Sequence, residues 1–106
     1  MTTQADLWRE RDLDEHVRGL AKLYGLAAYH THDSRQSPAG FPDWVIAGPR
    51  GVLFRENKRQ NGTPTPAQLT WARVLLAAGA DYEVWRPADA LDGRIKAQLQ
   101  RLRGTR

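Results

Sequence analysis

The sequence predicts an α/β domain in which helices flank a small mixed β-sheet. Three observations lead to this prediction: short apolar runs alternate with helical patterns, a turn joins two of the runs, and a helix separates the third run from the fourth. A tight turn joins antiparallel strands, whereas a helix between strands suits a parallel crossover. A chain of 106 residues can bury one core, so we expect a single domain over residues 1–106.

The first third of the chain predicts one helix and one strand. Apolar residues recur at helical spacing over residues 4–24, and Gly25 supplies a left-handed stop. Residues 26–32 alternate between two faces, which is typical of a strand. Residues 33–40 are polar and have no periodicity, so they predict a loop.

The middle of the chain predicts a hairpin. A second apolar run begins at Asp43, and a Gly-Pro-Arg-Gly turn separates it from a third strand over residues 52–58. Alternation along the third strand puts Glu56 and Lys58 on the same face. If Asp43 opens the second strand, its carboxylate can reach Glu56 across the ladder.

The second half of the chain predicts a helix, a strand and a final helix. Thr65, Pro66 and Gln68 fit the N-cap, first and third positions of a helix, which is the capping-box pattern. Its apolar stripe comprises Leu69, Ala72, Leu75 and Leu76. Residues 82–85 predict the fourth strand, and residues 88–102 predict the last helix. The predicted order is therefore αβββαβ plus a C-terminal helix.

Composition restricts the classes of partner. The net charge is +4, and thirteen of the sixteen basic residues are arginines, which suit phosphate, although a GC-rich genome would also enrich arginine. The chain has no cysteine, which excludes structural disulfides and zinc-thiolate sites. No apolar run approaches the ~20 residues that span a bilayer, and the polar N-terminus is unlike a secretory signal. We therefore expect a cytoplasmic protein with no membrane partner.

The most informative motif is Pro42-Asp43 followed, twelve residues later, by Glu56-Asn57-Lys58. Two carboxylates can hold a divalent cation, which prefers hard oxygen ligands. A lysine beside that cation can polarise water or stabilise charge on a phosphate, so the motif suits metal-assisted hydrolysis of a phosphodiester. The same spacing also arises by chance, with Asp43 capping a turn and Glu56 pairing with Lys58 on a solvated edge strand.

The element order, with these side chains on the second and third strands, resembles the restriction-endonuclease-like PD-(D/E)xK nuclease superfamily. Four segments in order resemble its VRR-NUC family: Gly40-Phe41-Pro42-Asp43, Glu56-Asn57-Lys58, Gly62 and Thr65-Pro66-Ala67-Gln68. The stretch over residues 29–35 resembles phage-type, stand-alone members. The resemblance covers residues 12–87, and one departure is Trp44, where relatives more often carry an aliphatic residue, which is expected to alter packing rather than chemistry.

The resemblance implies a role for each residue of the motif. Asp43 and Glu56 would bind Mg²⁺ or Mn²⁺, and the backbone carbonyl of Asn57 would be a further ligand. Lys58 would be the catalytic lysine.

Two further site residues are implied, and each also has a structural explanation. Gln68 matches a helix glutamine near the active site, although a capping box alone accounts for it. Glu15 resembles an acidic residue of the first helix that completes the metal site, ahead of its neighbours Asp14 and Asp12. Complementing the helix dipole is a sufficient reason for such residues.

Residues expected to contact DNA flank the motif. Arg35 and Arg59 lie in the two adjoining loops and are the strongest phosphate-contact candidates. His30 and His32 share a strand face and are expected to contact DNA or to pack. Further phosphate-contact candidates are Lys22, Arg50 and Arg55. A solvated surface is the alternative for these three.

The resemblance implies a metal-dependent DNA endonuclease that prefers branched substrates, such as flaps or Holliday junctions, and acts as a homodimer. Two alternatives remain open. One is a non-catalytic DNA-binding module on the same fold, against which the complete set of Asp43, Glu56 and Lys58 argues. The other is a sequence-specific restriction-type endonuclease, for which the chain is short.

Overall fold

The computed structural model describes residues 2–31 and 38–104, which form a four-stranded sheet with helices on both faces. The helices are α1 (Gln4–Leu7), α2 (Glu10–Leu23), α3 (Pro66–Ala77), α4 (Pro87–Leu91) and α5 (Arg94–Arg103). The strands are β1 (Ala27–His30), β2 (Trp44–Gly48), β3 (Gly51–Asn57) and β4 (Asp81–Trp85). The predicted α/β class is confirmed.

The strands lie in the order β1-β2-β3-β4. β2 pairs antiparallel with β1 and with β3, and Gly48 faces Gly51 at the turn of the predicted hairpin. β4 pairs parallel with β3, because α3 carries the chain back to the end of the sheet where β3 began. The sheet is therefore mixed, as the sequence predicts.

The hydrophobic core lies between one face of the sheet and helices α2 and α5. Strand alternation sends one set of side chains into it, and the two helices supply the opposing wall. Its buried members are Leu13, Val17, Trp44, Ile46, Leu53, Trp85, Ile95, Leu99 and Leu102. In the part of the chain that the structure describes, no helix is long and apolar enough to cross a membrane.

Two predicted helices are each interrupted. The helix predicted over residues 4–24 is divided at Trp8 and Arg9, which are both extended. A second helix then begins, and Asp12 accepts a hydrogen bond from the Arg9 amide at 2.8 Å. The predicted last helix is divided at Gly93, whose φ of +86° favours glycine. Apolar spacing continues across both interruptions, which is why periodicity alone did not reveal them.

β1 is shorter than predicted, and β3 is close to its predicted bounds. β1 ends at His30, although the Thr31 amide still donates to the Asp43 carbonyl at 2.7 Å. β3 ends at Asn57, and the Lys58 amide extends its pairing by donating to the Trp85 carbonyl at 3.0 Å.

α3 lies on the second face of the sheet and covers it only in part. Thr65 caps the helix as predicted, but none of the α3 residues is buried, and Leu69 and Leu76 are 46% and 56% exposed. The apolar stripe of α3 is therefore only partly covered by the rest of the domain. Trp71 makes the packing contact instead, with its ring centroid 5.0 Å from that of Phe41.

Arg55 is not a surface residue, so the phosphate-contact prediction for it is wrong. Alternation along β3 places it on the core face, where it is fully buried. Its guanidinium donates to the carbonyl and carboxylate oxygens of Asp81 at 2.7 and 3.0 Å, and to Gln98 Oε1 at 3.1 Å. A buried charge needs such partners, and these tie β3 to β4 and α5.

Gly40 lies where the chain before β2 presses on the start of α3. Its φ is +85°, and a Cβ there would lie 2.5 Å from Ala67 O and 2.7 Å from Gln68 N. We predict that Gly40→Ala lowers the free energy of unfolding by roughly 2–4 kcal/mol, because left-handed strain adds to overlap with main-chain atoms. Urea unfolding followed by tryptophan fluorescence measures the change.

Gly19→Ala is the matched control. Gly19 lies within α2, and a Cβ there would meet no atom within 4 Å. This variant should gain about 1 kcal/mol from helix propensity. An equal loss of stability in both variants would contradict the steric explanation for Gly40.

Candidate active site

The beginning of β2 and the end of β3 meet at one edge of the sheet, and the motif residues lie there. Trp44 faces Arg55 across the ladder, so Asp43 and Glu56 are opposite one another just beyond that pair. The two carboxyl groups are close enough that each one shifts the pKa of the other. The hairpin thus brings together the two acids that the sequence separates by twelve residues.

The main chain of Asn57 holds the carboxylate of Asp43. The Asn57 amide donates to Asp43 Oδ2 at 2.8 Å. The next amide, that of Lys58, donates to β4 on the opposite side of the strand. Because backbone groups alternate in direction along a strand, the Asn57 carbonyl points to the same side as its amide, toward Asp43.

Glu56 is 2% exposed and has polar partners on one of its two oxygens. Oε2 accepts from Gln68 Nε2 at 2.9 Å and lies 3.9 Å from Lys58 Nζ. Oε1 is buried with no hydrogen-bond partner among the described residues. An unpartnered buried carboxylate oxygen costs free energy unless something else binds it.

Gln68 serves both of the functions that the sequence offered as alternatives. Its Oε1 accepts from the Thr65 amide at 2.8 Å, and its main-chain amide donates to Thr65 Oγ1 at 3.2 Å, so the capping box is complete. Its Nε2 is then the group that donates to Glu56. The cap of α3 therefore fixes the orientation of a site carboxylate.

Burial raises the pKa of both carboxyl groups. Loss of hydration is the largest cause for each, and the charge of Asp43 helps to raise the pKa of Glu56 to about 8. The Lys58 ammonium lowers the pKa of Glu56 but does not offset these effects. The single Lys58 ammonium therefore does not balance the two carboxyl groups of the site.

This donor set fits a small divalent cation. Two facing carboxyl groups, one with an unpartnered oxygen, and a carbonyl directed to the same side are hard oxygen ligands. Within residues 2–31 and 38–104, no group of three or more acidic or histidine side chains could hold a metal ion. Main-chain, water or substrate oxygens would have to complete the coordination, which Mg²⁺ accepts.

Acidic groups of α2 act on the site, and the role of Glu15 stays a prediction. Glu15 and Glu10 are both exposed. The charges of Asp14 and Glu10 raise the pKa of Asp43, and that of Glu10 also raises the pKa of Glu56. The sequence pattern did not single out Glu10. It is the first residue of α2 only because the helix is broken at Trp8 and Arg9, and that break is not visible in the sequence.

Asp14 lies on the core side of the motif and has three polar neighbours. Its Oδ1 accepts from Trp44 Nε1 at 3.0 Å and from Asn57 Nδ2 at 2.7 Å. Its Oδ2 lies 3.5 Å from His30 Nε2, and the His30 ring packs on Trp44 with centroids 4.5 Å apart. Trp44 thus adds a hydrogen bond as well as the altered packing that the sequence suggested.

Arg59 follows Lys58 directly and is exposed. Arg86 Nη1 donates to the carbonyls of Arg59 at 2.7 Å and Gly62 at 2.8 Å, which holds the intervening loop. Asp6 and residues 59–62 line a cleft of about 310 Å³ beside this loop. The other predicted loop arginine, Arg35, and His32 lie outside the described residues.

Tyr82 also lies near the site, although the sequence gave no sign of it. It faces Phe54 in the β3–β4 ladder, which places it on the same sheet face as Glu56. Burial and the charges of Glu56 and Asp43 raise the pKa of Tyr82.

Together, the mixed sheet and the carboxyl pair at its hairpin edge define an α/β domain with a candidate active site. No model of a known protein family matches the chain, and no curated protein matches it. A solved VRR_NUC domain matches with a TM-score of 0.65 and 23% identity over 80% of this chain and 92% of that one. A second, a VRR_NUC domain protein, matches with a TM-score of 0.65 and 22% identity over 87% and 90%. The predicted resemblance is therefore confirmed at the level of the fold.

The raised pKa of Glu56 predicts that the metal-free protein loses stability as the pH rises. Between the ordinary Glu value of 4.5 and about 8, the folded protein binds more protons at this group than the unfolded chain does. The stabilising contribution is thus present at low pH and lost toward pH 8, by at most about 1.4 kcal/mol per pH unit. Urea unfolding in excess chelator across this range measures the slope.

Glu56→Gln is the control for this pH dependence. It keeps an oxygen that accepts from Gln68 but cannot ionise. Its free energy of unfolding should therefore change less with pH than that of the wild type. Equal slopes for the two proteins would contradict the assignment to Glu56.

Proposed function

We propose that this protein is a metal-dependent DNA endonuclease. The observation that carries the proposal is the facing pair of carboxyl groups, half-buried Asp43 and buried Glu56, with Lys58 beside them and one Glu56 oxygen without a hydrogen-bond partner among the described residues. Burying acids and a lysine costs free energy, and the hydrophobic core can form without them. We therefore favour a functional reason for their burial. The likeness of the fold to VRR_NUC domains supports the same class.

Mg²⁺ or Mn²⁺ is the cofactor that we propose. Asp43, Glu56 and the Asn57 carbonyl would hold it, and an exposed acidic group of α2, Glu15 or Glu10, would complete the set. The cation would supply positive charge to the scissile phosphate and lower the pKa of a water molecule. Water would then attack phosphorus, and the bond from phosphorus to one deoxyribose oxygen would break.

Lys58 and Gln68 would have different functions in this reaction. Lys58 is 8% exposed just beyond the end of β3, where its ammonium could stabilise negative charge that develops on the phosphate or orient the attacking water. Gln68, predicted as catalytic, contacts Glu56 and is better described as a positioning residue. Its hydrogen bond to Oε2 leaves Oε1 available to the cation.

Arg59 is our candidate for a phosphate contact among the described residues. It is exposed, follows Lys58, and belongs to a loop whose main chain Arg86 holds. A fixed loop places the guanidinium without further loss of backbone entropy on binding. Contacts from Arg35, His30 and His32 stay predictions, and the His30 ring already packs on Trp44.

Branched DNA and a homodimer are the finer parts of the proposal. The chain measures 39 × 36 × 24 Å, which is small beside a four-way junction, and two cuts in a junction call for two sites. The sheet face opposite the core exposes Tyr29 by 60% and Val52 by 45%, and α3 beside it exposes Leu69 and Leu76. A second copy of the chain would cover this apolar surface.

We predict that Lys58→Met lowers the rate of DNA cleavage by about 10²–10³-fold, because charge on the phosphate loses its stabiliser. DNA affinity should change little, since Lys58 is largely buried in the free protein. Single-turnover cleavage and fluorescence anisotropy measure the two quantities.

Arg73→Ala is the matched control, because it removes one positive charge from the exposed side of α3. It should leave the cleavage rate close to that of the wild type. Robust cleavage by Lys58→Met, or by the wild type in excess chelator, would overturn the proposal. A protein that binds DNA but neither cleaves it nor binds Mn²⁺ would instead be a binding module.

The preference for branched DNA predicts faster cleavage of flaps or four-way junctions than of plain duplex in Mg²⁺ or Mn²⁺. A labelled panel of duplex, flap, splayed-arm and junction DNAs measures these rates.

The proposed homodimer is measured by sedimentation velocity. Tyr29→Glu should shift the protein toward monomer, because it places a charge on the apolar surface. Equal rates on all four DNAs, or monomer only with and without DNA, would contradict these finer proposals.

A further inference from the structure

The carboxylate of Asp14 on α2 binds two residues of the motif region, Trp44 beside Asp43 and Asn57 beside Glu56. Asp14 Oδ1 accepts from the Trp44 indole at 3.0 Å and from the Asn57 side-chain amide at 2.7 Å. Trp44 is the residue after Asp43, and Asn57 lies between Glu56 and Lys58. A single oxygen atom therefore links the beginning of β2 to the end of β3.

The two residues that Asp14 holds can move very little. Trp44 is 1% exposed, and the Asn57 side chain is fully buried. Asn57 also donates its main-chain amide to Asp43 Oδ2, and its carbonyl is directed to that side of the strand. A shift of the Asn57 side chain would thus move a hydrogen-bond donor and a candidate ligand of the site together.

We infer that Asp14 is a positioning residue for the metal site, a role that rests on the proposed function. It fixes the strand ends from the core side, so that the two carboxylates and the Asn57 carbonyl converge before a cation binds. Gln68 does the same for Glu56 from the other face of the sheet. Outer contacts of this kind typically change metal affinity or activity by about 10–100-fold when they are removed.

A role in positioning differs from a role for the charge of Asp14. The negative charge of Asp14 raises the pKa of Asp43, so the charge acts on the site as well. Asp14→Ala removes the acceptor oxygens and the charge together, whereas Asp14→Asn removes the charge but keeps an oxygen that can accept from Trp44 and Asn57, with an amide in place of the oxygen that faces His30. The two variants therefore separate geometry from electrostatics.

The test compares these variants with the wild-type protein by three measurements. Titration calorimetry gives the Mn²⁺ affinity, cleavage kinetics give kcat and KM for DNA, and ¹H–¹⁵N spectra give the Trp44 indole signal. The chain has four tryptophans, and Trp44→Phe assigns that signal by deleting it. Asp92→Asn, on an exposed residue at the end of α4, is the control for loss of one negative charge.

Asp14→Ala is expected to shift the Trp44 indole signal and to lower Mn²⁺ affinity by about 10–100-fold. kcat should fall while KM for DNA stays unchanged, because Asp14 lies behind the site rather than at its surface. Asp14→Asn should recover most of both losses. If Asp14→Ala fails to fold, Trp44→Phe alone should lower Mn²⁺ affinity by roughly 2–10-fold, the worth of one hydrogen bond.

Two results would overturn the inference. One is an Asp14→Asn protein as defective as Asp14→Ala, which would assign the effect to charge. The other is an Asp14→Ala protein that binds Mn²⁺ and cleaves DNA as well as the wild type. A wild-type protein that does neither would instead refute the proposed function.

Discussion

The pairing of half-buried Asp43 with buried Glu56, where the beginning of β2 meets the end of β3, is the constraint on which the rest of the structure depends. Each carboxyl group needs a donor, and each donor comes from a different element. The Asn57 amide serves Asp43 because β3 runs past the beginning of β2, and the Gln68 amide serves Glu56 because α3 begins at that edge. Gly40 lets the chain approach α3 closely enough for this arrangement.

The central strand β3 keeps two groups of polar side chains apart on its two faces. Glu56 and Lys58 point to the α3 face, whereas Arg55 and the Asn57 side chain point to the core face. Arg55 is neutralised there by Asp81, and Asn57 is held by Asp14. The core side is therefore closed, while the second face keeps exposed apolar surface at Tyr29 and Val52.

Much of the fold follows from local signals in the chain. The hairpin turn, the Thr65–Gln68 cap and the period-two pattern of β3 act over a few residues, so their outcome is visible in the sequence. The breaks that separate α1 from α2 and α4 from α5 are not visible in the sequence, because apolar spacing continues across them. Arg55 shows the same limit, since a surface arginine and a buried one look alike until Asp81 and Gln98 are placed around it.

The sequence by itself determined the α/β class, the hairpin and the meeting of Asp43 with Glu56 near Lys58, because strand alternation and turn chemistry are local. Only the tertiary structure decided which acids of α2 face the site. It places Asp14 against Trp44 and Asn57, since the rotation of α2 depends on how that helix packs against the sheet. Packing also decided that the Gln68 cap reaches Glu56, a contact between elements that no local pattern specifies.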